Sequence, residues 1–313
     1  MGNMLMKIGA TGTAFGLCAL LAGGAMAWQV AGSPDVTQIV TSAKPGTVVT
    51  LPAGNYGPLV ISGKHFKAPV TVRAAGSTIE SIVIRDSSNI VIEGGTVRGG
   101  QGVRYAIHVD RARAVTVRGM TVTGAVRGMV INMSQAVGVY QNKFTGLRTD
   151  GVNIAESRKV VVEGNSCSNF NPIMPIYSST GALIKDGDHP DCIQAWSRAT
   201  SAPVSDVVVR GNSMNGYMQG IFFGNGGTHG GFDRVTIQNN YVNISMPNGI
   251  YIADGRGVDI RFNEVRTVSG ARLKGGMGSS VKATIKAIRP IATVACTNIV
   301  TATPTGYGTG RCS

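Results

Sequence analysis

Lys159-Val-Val-Val-Glu-Gly-Asn-Ser-Cys-Ser168 and Asp206-Val-Val-Val-Arg-Gly-Asn-Ser-Met-Asn215 share one pattern, and that pattern decides the fold. Working outward, the apolar alternation returns at Ile90, Val115, Val137, Val160, Val207, Val235 and Val258, in steps of 25, 22, 23, 47, 28 and 23. The step of 47 is two periods, so one repeat carries a long insertion. Five residues past the anchor stand Asn142, Asn165, Asn212, Asn240 and Asn263. Seven past it stand Val97, Val122, Phe144, Cys167, Met214, Val242 and Val265. A repeated Asn column can run a side-chain amide ladder from coil to coil, and the apolar column forms an interior stack.

A second strand precedes each anchor. Period-2 alternation turns Ile107, Met129, Val152, Ile193, Ile221 and Ile250 inward, and His108, Val130, Asn153, Gln194, Phe222 and Tyr251 outward. Repeats of this length are too short for βαβ units or for propeller blades of about 40 residues. Stacking them buries one continuous core. The expected architecture is all-β, a single-stranded right-handed parallel β-helix with an N-terminal cap. A short helix near Asp35–Ala43 is expected to close the open end.

The expected segments are a signal peptide over 1–27, the β-helix over 28–274, and a C-terminal cap or tail over 275–313. The leader reading rests on Lys7, the apolar run Ile8–Leu21 and the small-x-small Ala25-Met26-Ala27. That run falls short of the roughly 20 residues of a membrane span, so no stable membrane insertion is expected. The predicted location is secreted or periplasmic. The formal charge of +13 becomes +12 without Lys7, which suits acidic partners. The Lys and Arg residues are scattered without aromatic interleaving, which argues against nucleic acid. Cys167, in the interior column, reads as a buried thiol, while Cys296 and Cys312 can close a loop by a disulfide in an oxidising compartment.

Function on such a scaffold belongs to its outer face and its insertions. The insertion, near 171–188, runs into Lys185-Asp-Gly-Asp-His-Pro-Asp-Cys-Ile-Gln-Ala-Trp196. Register sets Asp191 on the coil above Asp150, with Cα atoms about 5 Å apart. Asp188 and His189 stand at the mouth of that turn. Gln219 and Asn248 continue the column. Grouped carboxylates push one another's pKa apart, so one can hold a proton while another is ionised. The catalytic candidates are Asp150, Lys185, Asp188, His189 and Asp191. Arg148, Asn153, Gln194, Trp196, Arg198, Gln219, Phe222 and Tyr251 are the substrate-binding candidates. The cofactor expectation is none, or calcium held by Asp150, Asp188 and Asp191. His108 and His229 are weaker candidates nearby.

At these residues the sequence resembles the pectin-lyase-like superfamily of carbohydrate-active β-helices. Thr149-Asp150-Gly151 looks like the Asn-Thr-Asp-Gly motif of polygalacturonases, and Asp191-Cys192-Ile193 like the second half of their Asp-Asp-Cys motif. That likeness implies catalytic carboxylates at Asp150 and Asp191. Three elements depart from the pattern. Pro190 replaces the first Asp of the pair, Gln219-Gly220 stands where the family has Gly-His-Gly, and Tyr251-Ile252-Ala253 stands where it has Arg-Ile-Lys. Ala43-Lys-Pro-Gly through Pro52-Ala-Gly-Asn-Tyr56 also looks like the opening of chondroitinase B and alginate lyases.

The expectation is a secreted, monomeric protein acting on an acidic, uronate-containing polysaccharide as a β-elimination lyase, with Lys185, His189 or Tyr177 as base. The alternatives are a polygalacturonase-like hydrolase using Asp150, Asp188 and Asp191, a C5-epimerase, and a non-catalytic polysaccharide-binding or surface protein.

Overall fold

The computed structural model describes residues 19–20, 27–29, 35–100, 102–198, 202–224, 230–268 and 282–312. Most of the expected leader, His229 and the boundary expected at 274/275 lie outside these residues. Three sheets of thirteen, ten and nine strands wind around one lumen, parallel throughout except where Ala19–Leu20 pairs antiparallel with Ala27–Gln29. Each coil contributes in order to sheet I (for example Asp191–Trp196), sheet II (Val204–Arg210) and sheet III (Ser213–Gly216).

Alternation drives this winding. The anchors Ile90, Val115, Val137, Val160, Val207, Val235 and Val258 sit in register in the core, each at most 2% exposed. The residue before each anchor bends the strand through the left-handed region, as at Ala114 (φ 53) and Lys159 (φ 55).

At the corner from sheet II to sheet III, the asparagine column forms the expected ladder. Asn212 Oδ1 accepts from the Asn165 backbone N–H at 2.9 Å and from Asn165 Nδ2 at 3.0 Å. Asn212 Nδ2 donates to Val162 O at 2.9 Å and to Asn240 Oδ1 at 3.0 Å. The ladder runs on through Asn263 to Asn298.

Asn298 belongs to the segment read from sequence as a cap or tail. That segment supplies another coil: Thr284–Ile288 joins sheet I, Val294–Cys296 sheet II and Ile299–Val300 sheet III. A disulfide joins Cys296 to Cys312. At the other end the helix is Val36–Thr41, capped by Asp35, whose carboxylate accepts from the Gln38 N–H at 3.0 Å. Val36 and Val40 are buried in the core of the stack. No helix among the described residues is long and apolar enough to cross a membrane.

The reading of Cys167 as a free thiol is corrected: it forms a disulfide with Cys192, with Cα atoms 5.7 Å apart. The two cysteines lie on different walls, sheet III and sheet I, but the lumen is narrow enough for both side chains to meet inside it.

Candidate functional site

Sheet I carries the candidate residues in two outward columns. One runs Tyr105, Arg127, Asp150, Asp191, Gln219 and Asn248, and the other His108, Val130, Asn153, Gln194, Phe222 and Tyr251. Asp150 and Asp191 therefore occupy neighbouring coils, and the Gly151 N–H donates to Asp191 O at 2.9 Å.

The columns are cross-linked. Arg127 Nε donates to Asp150 Oδ2 at 2.7 Å, and Asn153 Nδ2 reaches the same oxygen at 3.2 Å. Asn153 Nδ2 also donates to Gln194 Oε1 at 2.5 Å, and Gln194 Nε2 donates to Asp191 Oδ2 at 2.8 Å. The Trp196 indole N–H bonds Asn153 Oδ1 at 3.0 Å. Asn248 Nδ2 donates to Gln219 Oε1.

This network sits in the wall. Asp191 is 0% exposed and Asp150 2%. Asp191 Oδ1 has no hydrogen-bond partner among the described residues. Burial raises the Asp191 carboxyl well above the usual range, and the neighbouring Asp150 charge adds to this against Gln194 and Arg127. Burial also raises Asp150, opposed by Arg127, Asn153 and the Asp191 backbone. The pair is a buried acid that favours holding a proton, and neither member is exposed on the outer face.

Asp188 is not part of that pair. Arg148 grips both its oxygens at 2.7 and 2.8 Å, and the Ile173 N–H donates to it at 2.7 Å. The Arg148 hydrogen bond holds the Asp188 carboxyl below its usual range. This contact closes the neck of the insertion. Lys185 is exposed in a short strand, Leu183–Lys185, paired antiparallel with Ile176–Tyr177. His189 is exposed and lies 4.0 Å from Asp186. The Tyr177 hydroxyl is buried with no hydrogen-bond partner among the described residues, and the Tyr217 phenol is raised by burial and then by Tyr177.

Calcium does not fit the three carboxylates proposed for it. Among the described residues no three His, Cys, Asp or Glu side chains gather as ligands. Asp150 and Asp188 are each already committed to an arginine, and Asp191 is sealed beneath Gln194. The calcium expectation is corrected on this geometry.

The exposed part of the face is aromatic and basic. Phe222 and Tyr251 stack with centroids 4.7 Å apart. Arg198 pairs with Glu156 at 2.8 Å and lies over the Trp196 ring at 5.6 Å. His108, half-buried, packs near Tyr105 at 5.1 Å, and burial lowers its pKa.

A cleft of about 250 Å³ opens among Arg104, Tyr105, Arg127, Asn153, Gln194 and Trp196. Sequence reasoning missed three of these: Arg104, Tyr105 and Arg127. The signal was present in the register, because Arg127-Gly-Met occupies the columns of Asp150-Gly-Val one coil earlier. Arg104 is exposed over the Tyr105 ring at 5.3 Å and has no acidic partner among the described residues.

A sequence comparison with curated proteins finds no match. Solved structures with a similar course include PfbA, a surface adhesin of Streptococcus pneumoniae, at 11% identity and a TM-score of 0.54, covering 80% of this chain and 70% of that one. The A-module of mannuronan C-5 epimerase AlgE6 from Azotobacter vinelandii gives 12% identity and a TM-score of 0.46, covering 79% of this chain and 68% of that one. A polygalacturonase from Erwinia carotovora ssp. carotovora gives 13% identity, TM-score 0.44, 84% and 95%. At such identities the likeness is one of fold. The model of the right-handed beta helix region matches residues 80–265, more than half of the chain, and the protein belongs to that family.

Proposed function

We propose that the protein is exported, binds an acidic polysaccharide along the outer face of sheet I, and cleaves it by β-elimination. The observation that carries this is the cleft beside Trp196, where the exposed Arg104 guanidinium has no carboxylate partner among the described residues. Arginine binds carboxylates through paired, planar N–H donors. The Trp196 and Tyr105 rings offer apolar surface to a sugar ring. The two disulfides suit an oxidising compartment.

In this reading a uronate carboxylate rests on Arg104 and Arg127, and neutralising it acidifies the proton on the adjacent ring carbon. A base removes that proton, the electron pair forms the ring double bond, and the glycosidic oxygen leaves with a proton from the conjugate acid or water. His189 is the favoured base, because an imidazole nitrogen can take up a proton and this side chain is exposed at the end of the insertion. The Asp150–Asp191 pair holds Arg127, Asn153 and Gln194 in place from beneath. Hydrolysis by these two carboxylates is disfavoured, since an acid and a base must reach the scissile bond and both are buried.

Binding of polygalacturonate and alginate, with neutral dextran as control, tests the reading. Arg104→Ala and Trp196→Ala are each expected to weaken acidic binding about tenfold or more. Equal binding of dextran, or acidic binding unchanged in both variants, would reject the assignment.

A further inference from the structure

A groove of about 710 Å³ lies away from the Asp150–Asp191 site, at the corner between sheets I and II. Register lines up His65, Ser88, Arg113, Gln135 and Arg158 along its sheet II side. No member of this column is acidic. Arg158 Nη2 donates to Gln135 Oε1 at 2.8 Å, and His65 Nδ1 lies 3.3 Å from Ser88 Oγ. Strands in a sheet are about 4.8 Å apart, which sets Arg113 and Arg158, two coils apart, about 10 Å from one another.

Most arginines of this chain are committed to carboxylates. Arg73 and Arg118 share Glu93, Arg111 holds Asp86, Arg210 holds Glu163, and Arg234 holds Asp206. Arg113 and Arg158 are exposed and have no acidic partner among the described residues. The opposite lip is formed by Arg111, Met133 and Glu156, which share a left-handed backbone (φ 47, 44 and 48) and so form a continuous ridge. Arg111 is tied to Asp86 and Glu156 to Arg198, leaving the groove with a surplus of cations.

We propose that this groove is a second binding site for an extended acidic polysaccharide strand, with carboxylates of alternate sugars on Arg113 and Arg158. A straight row of donors along the helix axis suits an extended chain that presents its acids on one side at a regular repeat. Single-stranded nucleic acid is the less favoured ligand, because its binding uses aromatic stacking platforms and no Phe, Tyr or Trp lines the groove. The site shares its ligand class with the sheet I reading but none of its residues.

The test uses the full chain carrying Arg113→Ala and Arg158→Ala together, both on the surface. Affinity for polygalacturonate and alginate is measured by titration across a salt series, beside dextran and a single-stranded DNA oligomer. The double variant is expected to lose about tenfold or more in acidic-glycan affinity and to show a shallower salt dependence, with an unchanged melting temperature. Wild-type-like affinity in the double variant, or no acidic-glycan binding by the wild type, overturns the proposal. So does a groove-dependent preference for DNA over both glycans. If Arg104→Ala has no effect while the double variant loses binding, the sheet I reading fails and the groove stands.

Discussion

Replacing Asn212 by Ala measures what holds the stack together. The Asn212 side chain takes part in four hydrogen bonds: its oxygen accepts from the Asn165 backbone N–H and from Asn165 Nδ2, and its amide donates to Val162 O and Asn240 Oδ1. The residue is 1% exposed, so water does not replace these partners. A buried hydrogen bond contributes about 1 kcal/mol net, and a stranded buried donor or acceptor costs about 1–3 kcal/mol. The Asn165 N–H and the Val162 carbonyl both lose a partner. The expected loss is about 3–5 kcal/mol, read from urea unfolding curves as a lower midpoint with an unchanged slope. Asn243→Ala is the control: its amide makes one exposed bond, to Asn215 at 2.9 Å, and its loss is expected to stay within about 0.5 kcal/mol. If the two variants were equally stable, the ladder would not be what joins the coils.

Two further predictions concern the site. Asp191 is raised in the folded state, so the folded protein keeps a proton that the unfolded chain releases above about pH 3.9. Its contribution is therefore most favourable below that pH and is lost as pH rises through the folded pKa. Asn mimics the protonated acid, so the stability difference between Asp191→Asn and wild type is expected to move in favour of the variant as pH rises from about 4; a flat or reversed difference in unfolding midpoints would contradict the buried-acid reading. Removing the Cys167–Cys192 bridge by a double Ala substitution frees a loop with a sequence separation of 25. Chain entropy assigns such a loop about 3–4 kcal/mol, and a denaturation midpoint unchanged from wild type would show that the bridge adds nothing.

The coils were legible because their constraints are periodic. Alternation sets the inward faces, and the Asn column fixes the corner. The last coil escaped notice where periodicity fails. Thr293 stands at the position of the apolar anchor, and the amide ladder resumes at Asn298 only after a long interval. The Cys167–Cys192 bridge was hidden because each column was read along the stack, while the bridge runs across the lumen. A sign of it was available: Cys192 stands in the column of Gly128, Gly151, Gly220 and Gly249. A Cβ on Gly151 would meet Cys192 O at 2.6 Å and Cys167 Sγ at 2.9 Å, so that column is tightly packed. Register correctly paired Asp150 with Asp191, but it carries no information on depth. Burial of both acids, and the capture of Asp188 by Arg148, depend on how neighbouring side chains cover them. The same limit hid the uncommitted guanidinium of Arg104.

The most direct test of the central claim is near-ultraviolet absorbance while the purified protein is incubated with polygalacturonate, alginate and other acidic polysaccharides. β-Elimination on the sheet I face predicts a rising signal from unsaturated sugar ends, lost in Arg104→Ala and independent of added calcium. New reducing ends without that absorbance, or no product from any acidic polysaccharide, would contradict it.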